Sequence, residues 1–65
     1  MQVETNEFVR SHGRQPRGWG RWGFFFNDDQ DVEKAFWSTG RFAYTRNMAV
    51  TFAVSKGFTR VRVAP

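Results

Sequence analysis

The sequence predicts an α+β fold: a meander of three antiparallel strands, one helix, then a fourth strand. Three observations carry that prediction. Trp19–Phe26 (WGRWGFFF) is a dense aromatic run with turn residues on both sides. Ala43–Lys56 has helical spacing and is followed by Gly57. Thr59–Ala64 alternates, with Thr59, Val61 and Val63 on one face and Arg60 and Arg62 on the other.

Val3–Arg10 reads as the first strand, placing Val3, Thr5 and Val9 opposite Phe8. Ser11–Gly18 (SHGRQPRG) is a loop by its Gly, Pro and polar content. In the second strand Gly20, Trp22, Phe24 and Phe26 share one face, and Trp19, Arg21, Gly23 and Phe25 share the other. Asn27–Asp31 (NDDQD) is a turn, so the third strand, near Val32–Ser38, forms a hairpin with the second. The chain turns again at Gly40. In the helix, Phe42, Met48, Ala49, Phe52 and Ala53 make the expected core stripe, with Thr45 as the best N-cap. Ala43, Val50 and Val54 form a second apolar stripe, read as ordinary surface. Gly57 fits the left-handed position past the helix end, with Phe58 as the following apolar contact. A right-handed crossover makes the last strand parallel to the third and seats it beside the first.

Length allows one domain, residues 1–65. So short a chain buries little surface and needs staples, a partner or a rich core. Cysteine is absent and there is one histidine, His12, so disulfides and thiolate or multi-histidine metal centres are excluded. No metal or cofactor is expected. What remains is aromatic bulk, from eight Phe, three Trp and one Tyr, and self-association. No targeting pattern or membrane-length apolar run is present, and an intracellular, cytoplasmic protein is expected.

Eight Arg and two Lys outnumber six acids, for a formal charge of +4. Charges are segregated along the chain: Arg10, Arg14, Arg17 and Arg21 follow one another with no acid between them. Asp28, Asp29, Asp31 and Glu33 cluster in the middle. That cluster lacks EF-hand spacing and reads as a solvated turn rather than a cation site. His12 and Ser11 have no third partner in sequence, so catalysis there is not expected.

One helix covers only one face of a four-stranded sheet, yet the second strand carries aromatics on both faces. A second aromatic surface is therefore predicted, with Trp19, Phe25 and one of Phe36 or Trp37. Arg21 shares that face, as do Arg60 and Arg62 if Val61 and Val63 meet the helix. Rings that stack on bases, interleaved with guanidinium groups that pair with phosphates, suit nucleic acid. The candidate contact residues are Arg14, Arg17, Trp19, Arg21, Phe25, Arg60 and Arg62, with DNA favoured over RNA. A homodimer is expected as well, and it is compatible with nucleic-acid binding; the rival reading is a protein-binding module, such as a small phage- or plasmid-type inhibitor or adaptor, that docks on a partner or homodimerises through the same face.

Arg17, Trp19, Gly20, Arg21 and Trp22 resemble the Arg-x-Trp-Gly-Lys-Trp opening of the plant ethylene-response-factor type DNA-binding domain. Phe36–Phe42 (FWSTGRF) is similar to that family's third strand, Val-Trp-Leu-Gly-Thr-Phe, with one extra residue. Phage integrase arm-binding domains share the strand-strand-strand-helix plan. The resemblance implies a sheet read against the major groove. The chain departs from it at Gln15 and Ala35, where the family has arginines, in a helix without an acidic start, and in an extra strand at each end.

Overall fold

A computed structural model describes residues 1–65, and the α+β class is as predicted. The elements are β1 (Gln2–Glu4), α1 (Asn6–His12), β2 (Trp19–Phe26), β3 (Phe36–Arg41), α2 (Phe42–Lys56) and β4 (Arg60–Val63). They form one four-stranded sheet in the order β1-β4-β2-β3. β2 is antiparallel to both neighbours, and β4 runs parallel to β1. The last strand thus pairs with the first, as expected, but it inserts between β1 and β2 and leaves β1 at the edge. No helix is long and apolar enough to cross a membrane.

The predicted Val3–Arg10 strand is instead a three-residue strand followed by a helix. Its β-branched residues imitate alternation, but Phe8 and His12, four apart, stack at 4.2 Å on one helical face. Phe8 is buried and its ring lies 5.5 Å from Trp22, so α1 closes one end of the core. Gly13 ends α1 in the left-handed conformation, donating its N–H to the Val9 carbonyl.

The third strand starts four residues later than predicted and continues through Gly40. Its expected first residues belong to the β2–β3 loop. There the Asp29 carboxylate accepts the Asp31 N–H, and the Asp31 carboxylate accepts the Glu33 N–H. Such Asx turns compete with strand pairing. Asn27 starts the loop at φ 52°, and its side-chain oxygen accepts the N–H groups of Thr59 and Arg60. One residue thereby ties the end of β2 to the start of β4.

The core lies between α2 and the face of the sheet carrying Trp22, Phe24, Phe26, Val61 and Val63. Phe24, Val61, Val63, Ala49 and Ala53 are fully buried. The alanines let α2 approach closely, and the phenylalanines of β2 fill the space. Thr45, predicted as the N-cap, is buried on this face with its hydroxyl donating to the Phe42 carbonyl. Arg41 precedes the helix instead, without a side-chain cap. Met48 and Phe52, expected in the core stripe, are 52% and 36% exposed, because the helix turns Thr45, Ala49 and Ala53 inward.

The helix ends at Gly57, as predicted, with φ 79° and N–H bonds from Gly57 and Phe58 to the carbonyls of Val54 and Ala53. A β-carbon at Gly57 would meet nothing, so only backbone strain opposes it. Gly57→Ala is expected to cost about 1 kcal/mol in urea unfolding. An unchanged midpoint would contradict the cap.

Candidate nucleic-acid interface

Strand alternation and register define the sheet face turned away from the core. Trp19 stands opposite Arg41, Arg21 opposite Thr39, and Gly23 opposite Trp37. Further along, Phe25 stands opposite Arg62, which is paired in turn with Glu4. Trp37 is thus the aromatic of β3 on this face, while Phe36 packs toward the core.

This face divides into two halves. In the closed half Phe25 is only 7% exposed. The Arg62 guanidinium lies 5.4 Å from its ring centre and donates to the Asp29 carbonyl at 2.6 Å. Arg62 is itself buried, with Glu7 Oε2 3.5 Å from Nη1. Arg60 donates to Glu4 at 2.7 Å and to Asp28 at 2.6 Å. Its hydrogen bond holds the Glu4 carboxyl below the ordinary range, and Glu4 in return raises the Arg60 pKa. Phe25, Arg60 and Arg62, three of the sequence-predicted contacts, are therefore engaged within the chain. The prediction that this aromatic surface lacks an intramolecular cover needs correction: Arg62 and the β2–β3 loop cover this half.

The open half holds Trp19, Arg21, Trp37, Thr39 and Arg41, all exposed. Trp19 is 76% exposed. Of the three indoles it alone has no hydrogen-bond partner, since Trp22 donates to the Gly40 carbonyl and Trp37 to the Val32 carbonyl. Trp37 is held more firmly. Its ring rests on Gly23, where a β-carbon would stand less than 3 Å from three ring atoms, and the Arg21 guanidinium lies 5.1 Å from its centre.

Gly23 is thus a seat for Trp37. Gly23→Ala is expected to cost about 1–3 kcal/mol, the usual penalty for overpacking. In a Trp37→Ala background the same change should cost less than half as much. Equal costs in both backgrounds would contradict the seat.

Arg14 and Arg17 are exposed in the loop entering β2. Pro16 is buried there, and the Gly18 carbonyl accepts the Phe42 N–H at 2.8 Å, which anchors the loop beside the start of α2. Arg17 is therefore held next to the Trp19 end of the open half. The ion pairs in the structure are three, and they use Glu4, Asp28 and Glu7 on Arg60 and Arg62 only. Arg10, Arg14, Arg17, Arg21, Arg41 and Arg46 have no carboxylate partner.

No protein-family model, curated protein or solved structure matches this chain.

Sequence reasoning placed Trp19, Arg21 and Arg17 but missed Arg41, because Gly40 was read as a turn. A glycine facing Gly20 across a hairpin was the available signal. The largest concavity lies elsewhere, about 380 Å³ between the β2–β3 loop and the end of α2. Phe52 and Phe58 line it, with Lys34, Lys56, Asp29 and Asp31 at its polar edge. It contains no histidine, serine or threonine to pair as nucleophile and base. His12 is exposed and stacked on Phe8. No group of three or more His, Cys, Asp or Glu could hold a metal ion.

Proposed function

We propose that the protein is a small nucleic-acid-binding module that uses the open half of its outer sheet face. One observation carries this reading: Trp19 is 76% exposed, stands opposite Arg41 and is two residues from Arg17 and Arg21, and no carboxylate pairs with any of these arginines. An exposed tryptophan on a merely solvated face has no such reason to stand among unpaired guanidinium groups. The resemblance of the Arg17–Trp22 segment to sheet-based DNA-binding domains points the same way and favours DNA. Phe25, Arg60 and Arg62 drop out of the contact set, and Arg41 and Trp37 enter it.

Fluorescence anisotropy with labelled oligonucleotides across a salt series tests the reading. Arg17→Ala, Arg21→Ala and Arg41→Ala are each expected to weaken binding to every sequence and flatten the salt slope by about 0.7–0.9. Absence of binding at low salt would sink the proposal, since even non-specific basic proteins bind there.

A second reading, a protein-binding or self-associating module, rests on α2. Tyr44 and Met48, four residues apart, are 70% and 52% exposed, and Val54 is 62% exposed. A homodimer formed there would show in sedimentation and would be insensitive to the arginine substitutions.

A further inference from the structure

Resting on the nucleic-acid reading, we infer that the open half takes single-stranded DNA rather than a duplex. In the inferred complex one base stacks on Trp19, the adjoining phosphate lies on Arg21, and a second base lies over Trp37.

The geometry of the face supports a single strand in three ways. Trp19 is 76% exposed, and a ring can stack only on a base whose own face is free. The bases of a duplex are held in their stack by pairing, whereas the bases of a single strand come out of theirs at small cost.

The register then sets the length of the platform. Trp19 and Trp37 are four residues apart along the hairpin, because Trp19 faces Arg41 and Trp37 faces Gly23. At about 3.4 Å per residue this is about 14 Å. That span suits about four stacked nucleotides, or fewer in a stretched strand. Arg21 lies between the two rings, on the Trp37 side.

Charge limits the site at its far end. The Trp37 indole is bonded to Val32, whose neighbours in sequence are Asp31 and Glu33. A duplex brings two rows of phosphates, separated by a major groove about 12 Å wide. With acids next in sequence at that end and Arg17, Arg21 and Arg41 as its unpaired cations, the open half can serve one row only. A single strand can follow the Arg17–Arg21–Arg41 end and stop before the acids.

No amide or carboxylate side chain stands beside the two rings in the open half to single out a ribose. Around the two rings the exposed side chains are guanidinium groups and the Thr39 hydroxyl. These groups bond a phosphate at least as readily as a ribose 2′-hydroxyl, the group that distinguishes RNA, so nothing in the open half rewards RNA over DNA.

The test compares oligo-dT, oligo-rU and a self-complementary DNA hairpin of matched nucleotide number, read by tryptophan quenching and anisotropy at low salt. Oligo-dT is expected to bind at least ten-fold more tightly than the hairpin. Trp19→Ala should weaken oligo-dT binding by about 5- to 150-fold without changing the salt slope. Trp19→Phe should recover most of that loss. Circular dichroism of each variant reports whether the fold is kept, which the 76% exposure of Trp19 favours.

Hairpin binding as tight as oligo-dT, with the arginine variants still weakened, would overturn the single-strand inference and leave the nucleic-acid reading standing. Tighter binding of oligo-rU would overturn the assignment to DNA. Failure of all three probes to bind would overturn both readings together.

Discussion

Phe24→Ala is expected to be the most damaging single substitution, at about 3–5 kcal/mol. Phe24 is fully buried at the centre of the sheet, with the rings of Phe36 and Phe42 at 6.5 and 6.0 Å. Truncating such a ring costs about 3–5 kcal/mol, combining lost transfer energy with an unfilled cavity. At about 0.05–0.15 kcal/mol per residue, a chain of this size has roughly 3–10 kcal/mol in total. The substitution therefore removes from about a third to all of it. A melting temperature lowered by tens of degrees, or loss of near-ultraviolet circular dichroism, would report the effect. A sharp melt within a few degrees of wild type would contradict the assignment of Phe24 as the centre of the core.

Arg62→Ala is expected to be the second most damaging change, at about 2–3 kcal/mol. Removing one partner of a buried ion pair costs about 3–5 kcal/mol. Here the Glu7 contact is long, at 3.5 Å, and Glu7 is partly exposed, so the cost falls below that range. The substitution also leaves the Asp29 carbonyl without its donor and uncovers the Phe25 ring. Arg62→Met tests the division between charge and packing. Its flexible chain can still lie across Phe25, so it should recover part of the loss. If Arg62→Ala unfolds at the same urea concentration as wild type, the closed half of the face is not held by this side chain. Arg62 would then return to the set of available cations.

The contrast between these two residues shows what can be read from the sequence. Phe24 and its alternation with Phe25 follow from the period of a strand, which depends only on local geometry. The end of α2 was equally legible, because Gly57 and Phe58 encode the cap within a few residues. Arg62 was legible as to face but not as to state. Its engagement depends on the Glu7 carboxylate and the Asp29 backbone carbonyl, which lie far away in sequence and reach it through the β1–β4 and β2–β4 pairings. Helix α1 failed for a related reason. Its valines and threonine satisfy a strand pattern, and only the burial of Phe8 against Trp22 decides for the helix. At the candidate site, Trp19, Arg17 and Arg21 were found because strand parity and loop position expose them. Trp37 and Arg41 required the hairpin register, which the Asx turns of the β2–β3 loop shift by several residues.

The central claim is that the exposed Trp19–Arg21–Trp37–Arg41 patch is where nucleic acid binds. A titration of ¹⁵N-labelled protein with oligo-dT, followed by amide and indole N–H resonances, tests it most directly. The three tryptophans give three indole signals. The Trp19 indole is expected to move most, with backbone shifts confined to Arg17–Gly23 and Trp37–Arg41. The Trp22 indole, bonded to Gly40 inside the core, and the Tyr44–Met48 face of α2 should stay in place. Shifts centred on α2, or a Trp19 indole that does not respond to an oligonucleotide in excess, would contradict it.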